Sequence, residues 1–291
     1  RSTSPCRRDR PPLPLELPTP PALQAAPEAP LRSELYSADQ MERHGRALAA
    51  AHRLRPGRRR GRGGERLLER LTGNNDVLIA AGDLLKAALA AGQRIAPAGE
   101  WLLDNFHLIE EQVRTAKRHL PRRYSRELPR LSEGASAGLP RVYDIALEAI
   151  SHGDGRLDAE SLRRFVAAYQ GLEPLELGEL WAIPIMLRLA LIENLRRVAA
   201  RIAAGTAERN LAHAWAERMV ETAGRDPKSL ILVTADMARS SPPMASSFVA
   251  ELARRLQGQS AALALPLTWI EQRLAELDLT IEQLVQRETQ E

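Results

Sequence analysis

GEWLLDNFHLIEEQVRTAKR, residues 99–118, places Leu102, Phe106, Ile109, Val113 and Ala116 at successive steps of four, three, four and three. That period lines one face of an α-helix with apolar side chains and leaves Asp104, His107, Glu111 and Arg114 opposite. Pro121 lacks a backbone donor and ends the run. The spacing predicts a packed helix over 99–118, with Trp101, Phe106 and Ile109 as its core anchors.

The same pattern recurs outward from this segment. A helix is expected over 142–150, closing at the turn 151–155. Asp158 then caps another, whose inward face is Leu162, Phe165, Val166 and Tyr169. Residues 175–204 form a long apolar stretch with Leu187, Leu191, Leu195, Val198 and Ile202 on one side. Pro184 should kink or break it, and Gly205 should end it. Thr206 is expected to cap a helix with Leu211, Trp215 and Met219 inward, closed by Gly224. Asp226 and Pro227 have the order of an N-cap followed by a first-turn proline. Pro242 and Pro243 separate that helix from one marked by Phe248, Leu252 and Leu256. A last helix over about 266–287 carries Ile270, Leu274, Leu277, Ile281 and Leu284 at heptad spacing, which suits a packed terminal helix better than a coiled coil. An exposed apolar strip is expected on that helix or on 175–204.

Composition agrees with this pattern. Ala, Leu, Arg and Glu dominate, aromatics are 4% of the chain, and alternating Val/Ile/Thr runs are absent. The expected class is all-α, an irregular multi-helix array behind a disordered Pro/Arg-rich leader. Residues 1–30 form the leader, 31–64 a first helix (from Ser33 to Ala51) plus an Arg/Gly-rich link, and 65–291 a helical domain. No fixed-period repeat supports a solenoid. The first residue is Arg and the last helix reaches Glu291 without a stop signal, so a piece of a longer protein is expected.

The net charge is +4 and the isoelectric point about 9.6. Much of the excess sits in residues 7–10 and 53–62, and such local runs are usually solvated links. With Lys117, Arg118, Arg122 and Arg123 they could meet phosphates. No recognition helix or stacking aromatics accompany them, so nucleic acid is not the favoured partner and an acidic membrane surface fits at least as well. No signal peptide is visible, and the best apolar stretch, 181–192, is interrupted by Pro184 and Arg188. The single cysteine, Cys6, allows no internal disulfide and fits a reducing compartment.

The motifs of catalysis are missing. His107 with Glu110 and Glu111 could lend ligands to a metal, but no HExxH or second His/Cys cluster completes a shell. A buried His107 bonded to a neighbouring helix is the expected alternative. Placing Gly155 at the sixth position of a calcium loop puts Ile150, His152 and Ser161 where carboxylates belong, and the motif fails. There is no phosphate-binding GxxxxGK[ST], no GxGxxG between strand and helix, and no GxSxG elbow. The expected catalytic, cofactor and metal residues of this segment are therefore none.

One block is distinctive. WLLDNFHLIEEQ at 101–112, followed by LPRRYSRELPRL at 120–131, resembles the N-terminal region of bacterial cyclic β-1,2-glucan synthases. GERLLERLTGNNDVLIAAGDLL, ELYSADQMERHGRALA at 34–49, LRLALIENLRRVAARI and WIEQRLAELDLTIEQLV are similar to the same region, so the resemblance covers roughly 33–291. It implies a parent that is a large inner-membrane protein using UDP-glucose, with a divalent metal, to build, trim and cyclise a glucan. This chain would be the non-catalytic helical segment on the cytoplasmic side, ahead of the glycosyltransferase domain and lacking the glycoside-phosphorylase-like one. No DxD or QxxRW motif is present, so no catalytic residue carries over. The resemblance makes the transferase domain the expected partner. Asp104, Asn105, His107, Arg122, Arg123 and Tyr124 are the candidate docking residues, on the helix and on the Pro-bounded crossover that follows it. A second reading stays open, a freestanding helical scaffold or adaptor that binds protein or nucleic acid.

Overall fold

The computed structural model describes Leu23 and residues 34–55, 63–120, 127–153 and 158–290. Almost all of the Pro-rich leader and most of the Arg/Gly-rich link lie outside the described residues. The described helices are α1 (Ala38–Ala51), α2 (Gly63–Ala90), α3 (Pro97–Asp104), α4 (Phe106–His119), α5 (Arg141–His152), α6 (Ala159–Gln170), α7 (Leu177–Arg225), α8 (Leu230–Ser240), α9 (Ser246–Leu256), α10 (Ala264–Ala275) and α11 (Ile281–Gln290). Among the described residues no strand forms. Two isolated bridges, Leu54 to Leu131 and Arg130 to Pro140, hold the segment before α5. The chain is all-α, as its composition dictates.

Local chemistry sets most helix ends. Ser37 starts α1 with a full capping box: its hydroxyl accepts from the Gln40 amide at 3.3 Å, and Gln40 Oε1 accepts from the Ser37 amide at 2.8 Å. The helix therefore begins at Ala38, five residues beyond the expected Ser33. Asp158 caps α6 through the Ser161 amide at 2.8 Å. Asp226 accepts from the Lys228 amide at 3.2 Å and opens a short 3-10 turn, Pro227–Ser229, ahead of α8.

The chain divides into two compact units. The larger comprises the described residues up to Lys86 and those from Ala96 to Ala203. Its central cluster joins Met41 and Ala49 of α1, Ile145 and Ala149 of α5, and Phe165, Val166 and Tyr169 of α6. Each large side chain buried there contributes about 1.5–3 kcal/mol. Contact between α1 and α6 is close at Gly45, where an added Cβ would stand 2.8 Å from the Phe165 carbonyl oxygen and 3.1 Å from its ring. Gly45→Ala is therefore expected to destabilise the chain by about 1–2 kcal/mol, because the backbone oxygen cannot yield and the clash exceeds the ~1 kcal/mol gain in helix propensity. A urea titration showing equal or higher stability for the variant contradicts this.

The second unit comprises Ala87–Ile95 and the described residues from Ala204 onward. Its core gathers Trp215, Ala216 and Met219 of α7, Val233 and Met237 of α8, Phe248, Leu252 and Leu256 of α9, Ile270 and Leu274 of α10, and Ile281 and Leu284 of α11. The inward residues expected for this region hold, apart from Leu277, which is exposed.

Several expected boundaries do not hold. The helix over 99–118 is two helices meeting at Asn105, whose side-chain amide donates to the Trp101 carbonyl at 2.8 Å and competes with the helical ladder. Conversely, α7 runs unbroken through Pro184 and Gly205. Buried Ala182, Ile185, Met186 and Leu189 hold its first turns in place, so tertiary packing outweighs the lost backbone bond. Gly205 is a packing glycine rather than a terminator. A Cβ there would lie 3.1 Å from Ser247 Oγ of α9. Thr206 is accordingly buried mid-helix, where it accepts from Arg209, and caps nothing. The expected last helix breaks at Asp278, whose φ of 55° lies in the left-handed region, and Thr280 with Gln283 caps α11 afresh.

Candidate functional site

Two ionic networks in the larger unit are closed structural devices. Arg141 donates Nε to Glu179 Oε1 and Nη2 to Oε2, both at 2.7 Å, and Nη2 also reaches the Pro174 carbonyl at 2.8 Å. Both side chains are buried. Glu193, fully buried on α7, accepts from Arg70 at 3.0 and 2.8 Å, Asn74 at 2.8 Å and Arg196 at 2.9 Å. Burial alone would raise its pKa, but the Arg70 hydrogen bonds and charge outweigh that and hold the carboxyl down at about 2. His52 is likewise satisfied on both nitrogens, by the Tyr169 hydroxyl at 2.8 Å and Asp144 at 3.1 Å. Burial pushes the Tyr169 hydroxyl up to about 12 even against the Arg141 charge, so this His–Tyr–Asp chain holds no activated nucleophile at neutral pH.

The open site is an apolar cleft of about 420 Å³ lined by α3, α4 and the first half of α7. Trp101 and Leu108 form one wall, with Asn105 and Gln112. Pro184, Leu187, Leu191 and Leu195 form the other, with Arg188 among them. Trp101 is 56% exposed, Leu108 47% and Leu191 43%. Leu177 and Trp181, 66% and 73% exposed, precede Pro184, Arg188 and Leu191 at steps of four, three, four and three, so they extend the same stripe along α7. Arg188 is half-buried, and among the described residues it has no carboxylate partner. A cleft of this kind offers apolar contact with one unneutralised cation and no convergent acid, base or nucleophile.

A second grouping, also in the larger unit, is more polar. His44 of α1 faces Glu148 and His152 of α5, with His44 Nε2 2.8 Å and His152 Nε2 3.4 Å from the same Glu148 oxygen. The ring of Tyr36 stacks on that of His152 at 3.8 Å. These three side chains can hold a metal ion by their atom types and separation.

The docking residues read from the sequence separate in the structure. Asn105 lines the cleft and sets the break between α3 and α4. Asp104 and His107 are exposed on those helices, and neither lines the cleft. Arg122, Arg123 and Tyr124 lie outside the described residues. Trp101 is no core anchor but an exposed cleft wall, Phe106 is half-buried, and only Ile109 of the three is buried. His107 is exposed rather than buried, so it does not bond a neighbouring helix from the interior. The Leu187–Leu191–Leu195 stripe, placed by its spacing on one side of the helix, is the cleft face, in keeping with the exposed apolar strip expected on 175–204. The buried face of that part of α7 carries Ile185, Met186, Leu189, Ile192 and Glu193. Both faces are rich in aliphatic residues, so hydrophobicity alone did not distinguish them. Arg188 was the available signal, because a cation inside an apolar stripe marks the side that keeps some contact with water. The His44–Glu148–His152 grouping was not singled out by the sequence, since the Glu148–His152 pair at one helical step is common and His44 lies 104 residues before Glu148.

No helix among the described residues is long and apolar enough to cross a membrane. No family model matches the chain. Over 197 residues, 68% of its length, the chain is 34% identical to the cyclic β-(1,2)-glucan synthase NdvB of Rhizobium meliloti (strain 1021). The match spans only 7% of that much longer protein. The chain is thus a relative of one segment of a cyclic β-(1,2)-glucan synthase, as the resemblance carried by its own sequence implies.

Proposed function

We propose that this chain is a non-catalytic helical segment of a cyclic β-1,2-glucan synthase, and that it stabilises or tethers the glucosyl-transferring part of its parent. The parent would use UDP-glucose and a divalent metal at the bacterial inner membrane, with this segment on the cytoplasmic side. The observation that carries the reading is the open stripe on α7 facing Trp101 and Leu108: apolar, larger than isolated surface residues explain, and without catalytic groups. The occupant it suits is an apolar segment of the parent polypeptide, with a carboxylate placed to pair with Arg188. Exposed tryptophans at such a stripe are the usual energetic anchors of an interface. An acidic membrane surface is a weaker alternative, because the stripe holds one cation rather than a basic cluster.

The test is made in the full-length parent. Trp181→Ala and Leu191→Glu are each expected to weaken docking by about 2 kcal/mol or more, roughly thirtyfold in an equilibrium constant. Glucan made from UDP-glucose and resistance of the parent to limited proteolysis should both fall. Helicity of the separate chain should stay unchanged, since both side chains are already exposed. Unaltered synthesis and protease resistance in both variants would sink the tethering role. Saturable binding of UDP-glucose to this chain alone would overturn its non-catalytic part.

A further inference from the structure

His44, Glu148 and His152 bring three ligand-bearing side chains together, with one ligand atom of each within 4.8 Å of the other two. We propose that this trio is a binding site for a zinc-class divalent metal ion, which fastens α1 to α5 and leaves a fourth position to water. The donor set is two imidazoles and one carboxylate, a combination that suits zinc with an open position. Glu148 and His152 stand four residues apart and so share one face of α5, while His44 meets them from α1. Donor atoms around a tetrahedral ion with bonds of ~2.0–2.2 Å lie roughly 3.3–3.5 Å apart. The observed separations of 2.8 Å for His44 Nε2 and 3.4 Å for His152 Nε2 from Glu148 Oε2 bracket the short side of that range, and all three ligand atoms lie within 4.8 Å, so side-chain adjustments of about an ångström admit one.

The second observation is the way His152 is held. Its Nδ1 lies 2.8 Å from the Glu34 carbonyl oxygen, which can only accept, so Nδ1 carries the proton. That leaves Nε2 as the nitrogen that can act as a ligand, and it faces the same carboxylate oxygen as His44 Nε2. Two imidazole nitrogens thus converge on one carboxylate oxygen, an arrangement that a bound cation can bridge in place of a shared proton. A backbone carbonyl fixing the far nitrogen is also the usual outer support of a metal-bound histidine. Tyr36 stacks on the His152 ring at 3.8 Å and 8°, and Phe165 lies parallel to the His44 ring at 6.2 Å, so both rings are oriented before any ion arrives. His152 is buried, whereas His44 and Glu148 keep 22% and 32% side-chain exposure, which leaves a route in from solvent.

The experiment uses the whole untagged chain after treatment with EDTA. Zn²⁺ is titrated by calorimetry and Co²⁺ by visible absorbance. The expected result is one ion per chain, Co²⁺ bands of four-coordinate type, and a higher melting temperature with saturating Zn²⁺. Glu148→Gln and His44→Gln are each expected to weaken binding about a hundredfold, while His107→Gln, at an exposed position elsewhere, leaves it unchanged. Circular dichroism of each variant confirms the fold. If His44→Gln does not fold, the near-isosteric Glu148→Gln decides. Absence of one-to-one binding at micromolar Zn²⁺ overturns the proposal, since a shared proton then suffices to hold the trio. Binding that survives Glu148→Gln and His44→Gln overturns it equally, because the ion would be held elsewhere.

Discussion

Replacing Glu193 by glutamine is expected to lower the unfolding free energy of the chain by about 3–5 kcal/mol, the range typical of a broken buried ion network. Glu193 is wholly buried and takes hydrogen bonds from Arg70, Asn74, Arg196 and, at 3.3 Å, Arg197. An amide of the same size removes the negative charge and turns an NH₂ toward donors that need an acceptor. The guanidinium groups are left facing one another without the carboxylate that offsets their repulsion. Urea denaturation followed by far-UV circular dichroism measures the loss, and a midpoint within experimental error of the native chain refutes it.

The same residue sets a pH dependence. Its folded pKa is lowered from the ordinary value of 4.5 to about 2, so its stabilisation is complete above about 4.5 and is lost as the pH falls through about 2. The shift corresponds to about 3 kcal/mol, in line with the substitution. Glu193→Gln should therefore cost its full amount at pH 6, and native and variant chains should converge as the pH approaches 2. A gap that stays constant down to that pH would mean that the carboxylate charge is not what the network uses.

Arg141→Met is the second large effect, also expected at about 3–5 kcal/mol. The substitution removes a bidentate partner at 2.7 Å from Glu179, which stays buried and keeps the Glu176 amide at 2.9 Å. Leaving a carboxylate in that position costs far more than the native pair contributes over an apolar replacement, because the pair has already lost its hydration. The double variant Arg141→Met, Glu179→Leu is therefore expected to recover at least half of the loss, although the Pro174 carbonyl still lacks its donor. A double variant no more stable than Arg141→Met alone would show that the stranded charge is not the cause.

These two networks were not legible in the sequence. Glu193 with Arg70, and Arg141 with Glu179, pair residues from separate helices, and nothing in their neighbourhood distinguishes them from surface charges. The cleft was half legible. Leu187, Leu191 and Leu195 stood out by spacing, and an uncovered strip on that stretch was expected, but the spacing did not say which side of the helix would stay open. Trp101 was mistaken for core because a large aromatic beside an apolar period usually packs. Its exposure goes with the break between α3 and α4 at Asn105, which no apolar period records.

What the sequence determined by itself is the helical class, the caps at Asp158 and Asp226, and the inward faces of α6, α9 and the end of α7. These follow from propensity, capping and period, each settled within a few residues. Tertiary structure alone decided that α7 continues through Pro184 and Gly205, which of its two apolar faces is buried, and that His44 meets Glu148 and His152. The reason is physical: a proline costs a helix one backbone bond and a glycine some entropy, but burial against helices distant in sequence outweighs both. Which face is covered depends on the neighbour that covers it, and no local pattern contains that neighbour.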